Sequence, residues 1–101
     1  MRIAVIGPLK DQFRHIERKC QPFIGTRHSL YWLDKDSAKS KLSSCAHYDV
    51  LVVCTEWVSH AVVRITQSSA HGGLIVRYVK TRGQNAVVNE IQSVITKSYN
   101  E

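Results

Sequence analysis

The residue types best suited to meeting an anion fall in three short segments of the chain. They are Gly7-Pro8-Leu9-Lys10, Thr55-Glu56-Trp57-Val58-Ser59-His60 and Lys80-Thr81-Arg82-Gly83-Gln84-Asn85. The last is richest: two cations, a hydroxyl, and a glycine that lets a backbone N–H come close to a phosphate. It also opens onto a helical pattern, whose first N–H groups have no partner inside the helix and favour negative charge. The candidate ligand-binding residues are therefore Gly7, Lys10, Thr55, Ser59, His60, Lys80, Thr81, Arg82, Gly83 and Asn85. The plainer role for the same residues is structural, with Gly83 serving the turn and Thr81 or Asn85 capping the helix.

A catalytic reading has His60 as acid or base and Ser59 or Cys54 as nucleophile. Side chains at neighbouring positions point in different directions, so Ser59-His60 is not a catalytic pair by adjacency. No G-x-S-x-G elbow occurs, and no matched carboxylate accompanies the histidine. No catalytic residue is assigned, and a helix-cap or loop role suits His60 better. The five histidines (His15, His28, His47, His60 and His71) show neither H-x-x-x-H nor H-E-x-x-H spacing. Cys20, Cys45 and Cys54 form no C-x-x-C pair, so neither a zinc ribbon nor a disulfide framework is expected. The first loop carries Gly-Pro-Leu-Lys-Asp-Gln where a dinucleotide fingerprint would read G-x-G-x-x-G, and no Walker A motif occurs. No cofactor or metal is expected.

A second function class comes from charge. The 101 residues hold 14 Lys+Arg against 8 Asp+Glu, a formal net charge of +6. Such a surplus favours anionic partners and says nothing about fold. Lys10, Arg14, Arg18 and Lys19, with Arg2 and Arg27 nearby, could contact the phosphates of a nucleic acid. Asp11 and Glu17 dilute that set, which also fits a plain solvated face, and no helix-turn-helix, zinc finger or RNP motif accompanies it.

The elements that must hold these residues follow from hydrophobic spacing. Arg2 to Ile6 reads as a buried strand stopped by Gly7-Pro8. Leu9, Phe13, Ile16 and Cys20 mark one face of a helix that Gln21-Pro22 should stop. Arg27 to Leu33 predicts an edge strand, and Asp34 to Ser44 a weakly patterned helix. Tyr48 to Thr55 is the strongest strand, its continuous apolar run suiting a parallel strand covered on both faces. Val58, Ala61, Val62 and Ile65 predict a helix ended by His71-Gly72-Gly73. Leu74 to Val79 is a fourth strand, with Arg77 pointing to an edge position or an ion pair. Val87, Val88, Ile91, Val94 and Ile95 mark a final helix.

Strands alternating with helices predict a single α/β domain over 1–101, with a parallel sheet and helices on both faces. The expected architecture is a three-layer Rossmann-like half-fold whose four strands lie in the order 2-1-3-4. Ligands of such sheets bind beyond the carboxyl ends of the strands, where the strand order reverses.

Two stretches carry a family resemblance. Asp49-Val50-Leu51-Val52-Val53-Cys54-Thr55 leading into Val58-Ser59-His60, then the strand Gly73–Val79 with its Lys80–Asn85 loop, resemble a small bacterial Rossmann-like domain of unknown function. The resemblance runs from Met1 to about Ile91 and is specific over residues 49–85. It implies a site near Ser59, His60 and Gly83. The chain departs from that pattern in having Gly7-Pro8 in place of paired glycines, and His28-Ser29-Leu30 in place of a His-Gly-Gly-like stretch. A weaker similarity, confined to Lys80-Thr81-Arg82-Gly83, is to nucleotide-sensing domains of bacterial defence.

The expected function is thus a small cytoplasmic binding or regulatory module for an anionic, nucleotide-like ligand, with nucleic-acid binding as the alternative and a His60 enzyme third. No apolar run approaches the roughly 20 residues of a membrane span, and the scattered cysteines suit a reducing compartment. The exposed edge at Arg27–Leu33, with Tyr31 and Trp32, predicts a homodimer contact there.

Overall fold

The computed structural model of the chain describes residues 1–34, 48–69, 74–80 and 83–99. Its elements are β1 (Arg2–Ile6), α1 (Lys10–Ile24), β2 (Ser29–Leu33), β3 (Val50–Cys54), α2 (His60–Ser69), β4 (Ile75–Val79) and α3 (Gln84–Tyr99). The four strands form one sheet in the order β2-β1-β3-β4, and every pairing is parallel. This is the Rossmann-like half-fold expected from the alternation of strand and helix patterns.

The two inner strands explain their own sequences. Ile3 to Ile6 and Val50 to Cys54 are wholly buried, so both faces of each strand must be apolar. On one face Ile3, Val5, Val50, Val52 and Cys54 pack with Phe13, Ile16 and Cys20 of α1 and with Val87, Ile91, Val94 and Ile95 of α3. On the other, Ala4, Ile6, Leu33, Leu51 and Val53 pack with Val62 of α2 and with Leu74. Helices therefore cover both faces, as a doubly wound sheet with right-handed crossovers requires. Truncating Ile16 to alanine would open a cavity between α1 and the sheet at a cost of about 2–5 kcal/mol.

Several boundaries differ from the expected ones. Helix α1 does not stop at Gln21-Pro22 but contains Pro22 and ends at Gly25, whose φ of 60° lies in the left-handed region. Pro22 deprives the Arg18 carbonyl of its intrahelical donor. The extra turn brings Phe23 and Ile24, both half-buried, against the core. Strand β2 begins at Ser29 and not Arg27, because residues 25–27 form the turn out of α1. Strand β3 coincides with the apolar run Val50–Cys54 and is shorter than the expected Tyr48–Thr55, since Thr55 begins a turn in which the Trp57 N–H donates to the Cys54 carbonyl at 3.0 Å. The helix read over Asp34–Ser44 and the His71-Gly72-Gly73 stop lie outside the described residues, Asp34 apart.

Arg77 meets both expectations. It stands on an edge strand and its Nε lies 3.6 Å from Glu90 Oε1 on α3. Trp32 does not face outward from the β2 edge. It is half-buried beneath α1, its ring centroid 6.4 Å from that of Phe13, and its indole N–H donates to the Pro8 carbonyl at 2.7 Å. An apolar ring with one polar atom is accommodated where that atom finds an acceptor, and the β1–α1 loop supplies one. No helix among the described residues is long and apolar enough to cross a membrane.

Candidate functional site

The carboxyl ends of β1, β3 and β4 gather the described residues of the three candidate segments, and their side chains play unequal parts. Gly7 has a φ of 117° and is buried. A Cβ there would lie 3.1 Å from the Cys54 carbonyl and from Val58 Cγ1, and 3.2 Å from Trp57 Cβ. The close approach that Gly7 permits is thus made by the chain's own β3–α2 turn, at the point where the strand order reverses.

Thr55 and Ser59 hold that turn in place. The Thr55 N–H and hydroxyl both donate to the Val79 carbonyl, at 2.9 and 3.2 Å, locking the ends of β3 and β4 together. Ser59 is the N-cap of α2: its Oγ accepts from the Val62 N–H at 3.4 Å and its carbonyl from the Val63 N–H at 3.2 Å. His60 is the first residue of α2 and is exposed. Cys54 is fully buried, and burial pushes its thiol up to about 12. Its thiol is a core group at the end of β3, with no exposed surface.

The other two helix starts are more open. Lys10 opens α1 and is exposed; the residue before it, Leu9, has no side-chain acceptor for the helix's free N–H groups, although the Leu9 N–H donates to Gln12 Oε1 at 3.1 Å. Asp11 supplies negative charge to that first turn. At α3 no acidic residue occupies the first turn. Gly83 immediately precedes α3 and is exposed, and among the described residues, its chain neighbours aside, no atom lies within 4 Å of the position its Cβ would take. Lys80 is exposed at the end of β4. Thr81 and Arg82 lie outside the described residues.

Asn85, in the first turn of α3, is where two separately named groups meet. Its Oδ1 accepts from Lys19 Nζ of α1 at 3.1 Å. Nothing in local spacing could have revealed this pairing, because the residues stand on different helices. The remaining basic candidates divide. Arg14 and Arg18 are exposed on α1, where with Glu17 and Gln21 they line a shallow groove. Arg2 sits at the amino end of β1, its N–H donating to Asp49 Oδ2 at 2.8 Å.

Fold and site together define a small α/β protein with a Rossmann-like half-fold, in which Lys19 of α1 reaches the first turn of α3. No known protein family, curated protein or solved structure matches the chain.

Proposed function

We propose that the protein is a binding module for an anionic, nucleotide-like ligand, taken at the first turn of α3. The observation that carries this reading is the Lys19 ammonium held 3.1 Å from Asn85, in a turn with no acidic residue. A cation beside the positive end of a helix dipole is electrostatically unfavourable, and a bound anion turns both into attractions. Exposed Lys80 and exposed Gly83 suit an approaching phosphate. Gly7, Thr55 and Ser59 serve this reading by building the end of the sheet, with their own contacts made within the chain.

Thermal denaturation with AMP, ATP and pyrophosphate tests the proposal. A ligand at 100 times its Kd stabilises by about 2.7 kcal/mol, which such a scan resolves. The expected result is stabilisation that Lys19→Ala weakens about tenfold in affinity. Absence of stabilisation by every phosphate compound overturns the reading. A cytoplasmic site of action belongs to the same proposal, supported by the unpaired thiols of Cys20 and Cys54. So does a homodimer around β2, supported by Tyr31, which is 40% exposed on that edge strand.

A further inference from the structure

The outer face of α1 carries cations that the fold does not use. Lys10, Arg14 and Arg18 recur at every fourth position, so they form one stripe along the helix, roughly 6 Å apart along its axis. All three are exposed. Arginines elsewhere in the described residues are engaged: Arg77 faces Glu90, and Arg2, Arg27 and Arg64 each have interactions within the chain. Arg14 and Arg18 have no hydrogen-bond or ion-pair partner among the described residues. Like charges four apart on a helix repel, so this stripe does not serve the helix's own stability.

We propose that this face is a docking surface for the phosphate backbone of a nucleic acid, with Lys10, Arg14 and Arg18 as its contacts. Guanidinium forks match phosphate oxygens two bonds at a time, and the two arginines line a groove together with Glu17 and Gln21. Glu17, which also lines the groove, repels phosphate and accepts from amino or hydroxyl groups, which bases and riboses present beside their phosphates. An anionic bilayer is the poorer partner. Helices that bind membranes insert an apolar face, and that of α1, made of Phe13, Ile16 and Cys20, is already buried in the core. The inference stands apart from the small-ligand reading, since neither arginine takes part in it.

The test is fluorescence anisotropy of labelled duplex DNA and single-stranded RNA, from about 50 to 200 mM salt. Three phosphate contacts predict a slope of log K against log salt of about −2.7 for duplex or about −2.1 for a single strand. Arg14→Ala combined with Arg18→Ala should reduce the slope by about 1.8 for duplex or about 1.4 for a single strand and weaken binding at least tenfold. Glu17→Gln should tighten binding several-fold. Stabilisation by AMP, ATP or pyrophosphate should be unchanged in the double variant, which separates failure of this surface from failure of the α3 site. No binding of either nucleic acid at the lowest salt overturns the proposal. So does a double variant with unaltered slope, or binding to phosphatidylglycerol vesicles without binding to either oligonucleotide.

Discussion

Lys19 Nζ stands 3.1 Å from Asn85 Oδ1 and ties α1 to the first turn of α3 across 66 residues of sequence. The contact sets an ammonium against the positive end of a helix that has no acidic residue in its first turn. Positive charge is concentrated there without a carboxylate in that turn to neutralise it, and an incoming anion relieves the repulsion.

Asn85→Asp should therefore separate stability from binding. A carboxylate at this position complements the α3 dipole and pairs with Lys19, so the unliganded protein gains about 0.3–1 kcal/mol. Phosphate compounds then meet a site already neutralised and bind less tightly. Urea unfolding and calorimetric titration of the same variant check both halves. A variant that is less stable, or binds phosphate more tightly, contradicts the electrostatic account.

The buried thiols should report unfolding and nothing else. Burial, with the nearby Glu17 carboxylate adding to it, pushes Cys20 up to about 11, and burial alone pushes Cys54 up to about 12. In a Cys45→Ser background, a thiol-specific chromophoric reagent at pH 8 should label the native protein only as fast as it opens. Labelling faster than hydrogen exchange of the β3 amides would show a thiol accessible in the folded state.

Stability should fall on mild acidification through His28. Burial, then the Met1 ammonium, which approaches Nδ1 to 3.1 Å, and then Arg27 hold its pKa below the ordinary 6.5. The unfolded chain thus binds a proton at a pH where folded His28 stays neutral. Its contribution is complete above pH 6.5 and is lost as pH falls from there through the lowered folded value. Urea midpoints measured at falling pH should decline in the wild type and flatten in His28→Asn; parallel declines would assign the effect elsewhere.

Assembly should depend on Tyr31 and not on Trp32, whose ring lies under α1 with its N–H bonded to Pro8. Tyr31 meets Tyr48 edge-on, with ring centroids 5.6 Å apart, and keeps its outer face exposed. Sedimentation should find the wild type at twice its 11.5 kDa chain mass and Tyr31→Glu at the monomer mass. A monomeric wild type at micromolar concentration removes the dimer.

Most of the architecture was legible in residue order. The unbroken apolar runs of β1 and β3 declared inner parallel strands, because only a strand covered on both faces lacks polar alternation. The spacing of Leu9, Phe13, Ile16 and Cys20 foretold the buried face of α1, except that Leu9 precedes the helix and is 61% exposed. Alternation of strands with helices foretold a parallel sheet, for which 2-1-3-4 is the simplest order. Pro22 misled because its local penalty is real, yet the helix runs past it and packs Phe23 and Ile24 against the core, a tertiary contact that local spacing does not show.

The site was legible as a set of residue types but not as an arrangement. The sequence by itself determined which loops reach the carboxyl ends of the strands and that they are rich in glycine, hydroxyls and cations. Tertiary structure decided their uses: Gly7 receives Trp57 and Val58, Thr55 clamps Val79, Ser59 caps α2, and Lys19 crosses to Asn85. Periodicity records which face of an element is buried. It holds no record of which distant group will stand opposite, because that depends on how separate elements pack once the chain has folded.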